Sequence, residues 1–204
     1  MRRLLLALAL LIAPPAAAQD MTALVAAARA QVGVTTGYDP AYVALDFPGG
    51  DVPADRGVCT DVLIRAFRTA WGLDLQRVVN HDMRDHFPDY PQNWDLSGPD
   101  PNIDHRRVPN LQRLFTRAGA VQPIRSEAAE YLPGDIVSWR LPGNLPHIGI
   151  VSDRMNPDNN APMILHNIGG GAQEDDLLFS FPITGHYRIT PEALEFLRAL
   201  DQPS

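Results

Sequence analysis

Hydrophobic positions in the first half of the chain recur at helical spacing, whereas in the second half they come in short runs bounded by turn residues. Leu24, Val25 and Ala28 form an apolar stripe that predicts a helix over residues 23–31, capped by Thr22. Val62, Leu63, Ala66, Phe67 and Ala70 repeat at the same spacing and predict a helix from Cys59 to Trp71, stopped by Gly72. On it Cys59 stacks above Val62, Leu63 and Ala66, while Asp61, Arg65 and Arg68 turn outward. Asp74 caps a third helix through Leu75, Val78, Val79 and Met83 that fails before Pro88. A fourth begins with Pro109 in its first turn, presents Val108, Leu111, Leu114 and Phe115 inward, and ends at Gly119. Residues 33–57 and 88–104 are too densely punctuated by Gly and Pro for regular structure, and they read as two long wrapping loops.

After the turn Leu132-Pro133-Gly134-Asp135 the period changes. Residues 136–139, 147–151 and 163–166 read as three strands of an antiparallel meander, with a fourth over 186–189 and a last helix opened by Thr190-Pro191-Glu192. Together these predict an α+β fold, a helical N-terminal half packed on a small antiparallel sheet.

The ends and the charge narrow the setting. Met1-Arg2-Arg3, the apolar residues 4–12, Pro14-Pro15 and Ala16-Ala17-Ala18 read as a signal peptide over residues 1–18, followed by one domain over 19–204. The expected location is periplasmic or secreted, without a membrane span, and a cysteine so far from the cleavage point excludes a lipoprotein. Losing Arg2 and Arg3 takes the net charge from −7 to −9, which argues against a nucleic-acid partner. All 17 basic residues are arginine, a bias that genomic base composition explains more simply than carboxylate clamping.

Cys59 is the one cysteine, so no internal disulfide accounts for it. Its position at a helix start suits a nucleophile, because the unpaired N–H groups and dipole of the first turn favour a thiolate. The opposing reading is a small buried hydrophobe. A nucleophile needs a base and a group that orients the base. Strand alternation puts His147, Gly149 and Val151 on one face and Ile164 and His166 on one face of the next strand. Gly149 would leave room for a helix end to approach, and packing the Cys59 helix on that face would assemble Cys59, His147 and His166.

The order of a helix-start cysteine, Pro133-Gly134-Asp135 leading into a strand, His147-Ile148-Gly149-Ile150 and a third polar residue resembles the NlpC-type cysteine peptidases. These are papain-like domains, many of which cut peptidoglycan stem peptides. The phrases Gly57-Val58-Cys59-Thr60-Asp61-Val62, Asn102-Ile103-Asp104-His105-Arg106-Arg107 and His166-Asn167-Ile168-Gly169-Gly170-Gly171 resemble more closely an exported bacterial family. That family is catalogued as a domain of unknown function, number twelve eighty-seven. The resemblance implies a papain-like fold and hydrolysis of an amide bond in peptidoglycan or another peptide. It implies Cys59 as nucleophile, His147 as general base and later acid, and His166 as the orienting residue. Asn167 competes for that last role but faces away on a regular strand. The Cys59 N–H would serve as oxyanion donor, and Tyr38 would correspond to an active-site tyrosine. Val58-Cys59-Thr60 departs from the usual Asp-Cys-Ser.

Asp104, His105, Arg106 and Arg107 carry two readings, a carboxylate-binding cluster or a helix cap with solvated arginines. No metal or cofactor is expected, since His81 and His86 are five apart and no His-Glu-x-x-His or clustered-cysteine pattern occurs. Gly169-Gly170-Gly171 lacks the Lys-Ser/Thr of a phosphate loop. A non-catalytic binding or scaffold module, or a thiol acyltransferase, would carry the same residues.

Overall fold

The computed structural model describes residues 16–203. Of the signal-peptide reading, residues 1–15 lie outside the described residues, and 16–18 open the first helix. This helix, α1 (Ala16–Arg29), begins well before residue 23, because the alanine-rich segment continues it upstream. Thr22 is therefore inside the helix rather than at its cap.

Leu24, Val25 and Ala28 of α1 are buried against α2 (Cys59–Trp71), whose limits coincide with those read from the sequence. Gly72 ends α2 with φ 64°, and its N–H reaches the carbonyls of Arg68 and Phe67, a left-handed cap that glycine adopts without strain. Phe67 is fully buried between Trp71 and Phe115, with ring centroids 4.7 and 6.1 Å away. Burial of such a side chain stabilises the fold by about 1.5–3 kcal/mol. α3 (Leu75–His86) is capped by Asp74, and α4 (Val108–Arg117) buries Val108, Leu111, Leu114 and Phe115. α5 (Pro191–Leu200) is capped by Thr190, whose hydroxyl accepts the Ala193 N–H.

Asp61 departs from the outward position expected of it. It is buried, and its carboxylate pairs with an equally buried Arg106 at 3.0 Å. Helical periodicity marks this face as polar, but the two long loops cover it and supply the charge partner.

Those loops carry little regular structure. The first contains β1 (Gly37–Tyr38) and β2 (Arg56–Gly57), which pair in parallel, and the second ends in a single 3-10 turn at Asp104–Arg106. The main sheet has five antiparallel strands: β3 (Ile136–Leu141), β4 (Leu145–Met155), β5 (Pro162–Asn167), β6 (Ala172–Asp175) and β7 (Ile183–Tyr187). Their spatial order is β6-β5-β4-β3-β7. The sequence does not predict β6, since Gln173, Glu174 and Asp175 are poor strand formers; pairing with β5 overrides that preference.

Both faces of the sheet are covered. Ile136, Ile148, Ile150 and Leu165 join the helical core, while Val137, Trp139, Val151 and Ile164 pack under Tyr131, Leu177 and Leu178. The Pro133-Gly134-Asp135 turn anchors the sheet. Gly134 has φ 89°, and an added Cβ would come 2.9 Å from Met21 Sδ, so this turn accepts only glycine without displacement. Asp135 is buried and accepts from Leu132 N–H, His186 Nε2 and Arg188. Burial opposes its charge, but Arg188 and His186 hold its carboxyl below the usual carboxylate range.

Candidate active site

Cys59 is the first residue of α2, and a set of hydrogen bonds fixes the turn that presents it. Val58 is extended, and its N–H donates to Asp61 Oδ2 at 2.6 Å. Arg106 holds the same carboxylate through Nε and Nη2, each at 3.0 Å, and also donates to the Asp39 and Ala41 carbonyls. The Thr60 hydroxyl donates to the Arg106 carbonyl. Gly57 is required here, because a Cβ would sit 2.9 Å from Asp61 Oδ2.

The thiol is almost fully buried, and burial pushes it up to about 12 despite opposing N–H groups from Ile148, Thr60 and Cys59 itself. The expected thiolate-favouring helix end is present, but desolvation outweighs it. Strand alternation explains the Ile148 donor. Val151 N–H points toward β3, where it meets the Asp135 carbonyl, so the N–H of Ile148, an odd number of residues away, points toward β5. The β4–β5 pairing begins only at Ile150 opposite Leu165, which leaves that N–H to the sulfur.

The two histidines come together as strand alternation predicts, but not on the face against which α2 packs. α2 lies on the side of Ile148, Ile150 and Leu165, whereas His147 and His166 share the opposite side with Trp139 and Ile164. Cys59 and His147 therefore reach common space where the start of β4 opens into a cleft that both line. Gly149 makes room for the neighbouring strand rather than for a helix end: its Cβ would come 2.7 Å from Ile164 Cγ2 and 3.1 Å from His166 Cβ.

His147 Nε2 lies 3.1 Å from His166 Nδ1, and His166 Nε2 lies 3.3 Å from Asp175 Oδ2, a charge contact lacking the alignment of a full hydrogen bond. The Asp175 carboxylate favours one pair of tautomers. An ionised carboxylate only accepts, so His166 carries its proton on Nε2 and its bare Nδ1 accepts from His147 Nε2–H. His147 Nδ1 is then left bare, in the state a general base needs. Burial lowers His147 to about 3, with His166 adding to the effect. Burial lowers His166 too, against the pull of Asp175.

The cleft encloses about 570 Å³ and is also lined by Tyr38, Trp94, Arg106 and Arg107. Of the other sequence candidates, Tyr38 faces this space, and Arg106 borders it with its guanidinium engaged by Asp61. Asp104 and His105 are not among the residues that line it. Asp104 is a buried turn residue that accepts from Asp100 N–H and pairs with Arg107; it does not cap α4, whose N-cap is Arg107 without a side-chain cap bond, and neither Arg106 nor Arg107 is a solvated arginine. Burial lowers His105 to about 4, away from the thiol and near the charges of Asp74, Arg106 and Arg68. Asn167 turns away from His147 and donates to the carbonyls of Gly37 and Gly57, tying β1 and β2 to the end of β5.

Sequence reasoning misses Asp175 because it misses β6, and the place of Asp175 beside His166 depends on the register Ile164 opposite Asp175. The polar run after Gly169-Gly170-Gly171 is the one sequence signal for it. Among the described residues no group of three or more His, Cys, Asp or Glu side chains is placed to hold a metal ion.

This site lies within the part of the chain that has recognisable relatives. Residues 25–189 match the family described as "Domain of unknown function (DUF1287)". The Uncharacterized protein YijF of Escherichia coli (strain K12) is 55% identical over 161 residues, covering 79% of this chain and 78% of that protein. With a match that takes in Cys59, His147, His166 and Asp175, the chain belongs to the DUF1287 family.

Proposed function

We propose that this protein is a cysteine hydrolase of papain-like, NlpC-type architecture that cleaves an amide bond, in peptidoglycan stem peptides, outside the cytoplasm. The observation that carries the reading is the 3.1 Å contact of His147 with His166, which leaves His147 Nδ1 bare in a cleft shared with Cys59. In this mechanism Cys59 Sγ attacks the carbonyl carbon as its proton passes to His147 Nδ1, and the Cys59 N–H meets the developing oxyanion. His147 then returns the proton to the leaving amine, and water, deprotonated by His147, releases the acyl group. The stem-peptide substrate and the NlpC-type architecture rest on the motif resemblance, and the exported location on residues 1–18.

With the thiol pushed up to about 12 and His147 lowered to about 3, both groups are neutral at rest, and proton transfer has to accompany attack. The same observation favours a second reading, a binding module with an unused thiol. Wild type and Cys59→Ala incubated with purified sacculi separate the two, with released fragments identified by mass. Fragments from wild type alone support hydrolysis, and equal fragment release from both sinks it. Masses that carry an added amine in place of water would identify acyl transfer.

A further inference from the structure

The charged side chains that line the Cys59 cleft are three arginines, Arg106, Arg107 and Arg140, and no Asp or Glu is among the lining residues. In a chain of net charge −7, the sign of this lining depends on which of the three is already neutralised. The three arginines differ in what they already hold. Arg106 is buried on Asp61. Arg107 pairs with Asp104 at 2.8 Å and lies 3.9 Å above the Trp94 ring, which makes it part of the wall. Arg140 is exposed, and its Nη1 donates only to the Asn144 carbonyl, at 3.2 Å. Among the described residues no carboxylate pairs with it.

Arg140 is also placed close to the chemistry. It is one residue from Trp139, which stands opposite His147 in the β3–β4 ladder, and Arg140 itself stands opposite Pro146. The rest of the cleft around it, Leu141, Leu145, Pro146 and Ile168, is apolar and offers no competing acceptor side chain. A guanidinium with unused N–H groups at such a mouth binds a planar anion through paired hydrogen bonds.

We infer that Arg140 is a specificity residue, which recognises a carboxylate on the substrate close to the bond that Cys59 attacks. As a statement about the substrate this rests on the hydrolase reading, while the anion site itself can be tested without turnover. Cys59 is the single thiol, so alkylation reports on this cleft alone. The measurement is the rate of Cys59 alkylation by anionic iodoacetate relative to neutral iodoacetamide at one alkaline pH, in the wild type, Arg140→Gln and Arg140→Lys, with free cysteine as reference.

The wild-type ratio should exceed that of free cysteine. In Arg140→Gln it should fall about fivefold, the Boltzmann factor of one unit charge at contact distance in water. Arg140→Lys should keep most of it. The iodoacetamide rate is the internal control for folding, and a salt titration of the wild type needs no variant: about 1 M NaCl should bring the ratio down to the free-cysteine value. A wild-type ratio equal to that of free cysteine, a ratio unchanged in Arg140→Gln, or one insensitive to salt overturns the inference. None of these results bears on whether sacculi are cleaved.

Discussion

His147 and His166 meet edge to face, with ring planes 86° apart, centroids 5.2 Å apart, and Nε2 of the first 3.1 Å from Nδ1 of the second. Two neutral imidazoles in this arrangement need one donor and one acceptor, and the Asp175 carboxylate, 3.3 Å from the far nitrogen of His166, favours the proton on that nitrogen. Asp175 is thus a positioning residue, acting on His147 through His166. Asp175→Ala should reduce turnover, by less than the roughly 10²–10⁴-fold expected of removing the base itself in His147→Ala. It should also shift the pH dependence of the rate, because His166 loses the carboxylate that favours its charged form. The pH profiles of Asp175→Ala and Asp175→Asn against wild type provide the check. A uniform loss without a shift would mean that Asp175 supports only the strand edge.

The resting state of Cys59 sets a second expectation. Burial pushes its thiol up to about 12 from an ordinary value near 9, so the thiolate fraction is minute at neutral pH and climbs through the alkaline range. Alkylation by iodoacetamide, followed by mass, should keep accelerating between pH 8 and pH 10 without a plateau. A rate already level at pH 7 would reveal a thiolate–imidazolium pair and overturn the neutral resting state.

The buried pair of Asp61 and Arg106 joins the start of α2 to both loops, so one-sided removal should be costly. Arg106→Met leaves a carboxylate buried without its partner and should destabilise the protein by about 3–5 kcal/mol in urea denaturation. The double variant Asp61→Asn with Arg106→Met should be more stable than Arg106→Met alone. The amide introduced by Asp61→Asn would keep an acceptor for the Val58 N–H while removing the uncompensated charge. If the double variant were the less stable of the two, the charge pair would not be what joins these segments.

Much of this site can be read from the sequence, and what cannot be read has a common cause. The limits of α2, the inward faces of α2 and α4, and the face that His147 and His166 each take on its own strand follow from local periodicity, which depends on residues a few positions apart. The burial of Asp61 depends on Arg106, which is 45 residues away and reaches it only because both loops close over α2. The place of Asp175 depends on how many residues the Gly169-Gly170-Gly171 turn takes up before the chain re-enters the sheet. Even the acidity of Cys59 follows this rule. A helix start is visible locally and argues for a thiolate, whereas the burial that overrides it is assembled from β4 and the helical core.

The same burial makes the fold acid-sensitive. His147 is lowered to about 3 and His105 to about 4, and His166 is lowered as well, all from an ordinary value near 6.5. Between those values the unfolded chain binds protons that the folded chain does not, so stability is full above about pH 6.5 and falls as pH drops toward 4. Each such histidine contributes a slope of up to about 1.4 kcal/mol per pH unit. Asp135, held below the usual carboxylate range, adds a loss in the same direction only at still lower pH. At the alkaline end the sign reverses for Cys59, whose raised value removes stability as pH climbs from 9 through about 12. Urea denaturation at pH 7.5, 5.5 and 4.5 should therefore show steadily falling midpoints. His105→Gln should flatten that fall without touching the cleft, since the residue lies away from Cys59, and His147→Gln should flatten it by a similar amount. A midpoint that is level from pH 7.5 to 4.5 would mean that these rings are solvated in the folded protein, and with that the desolvated Cys59–His147 cleft would be lost as well.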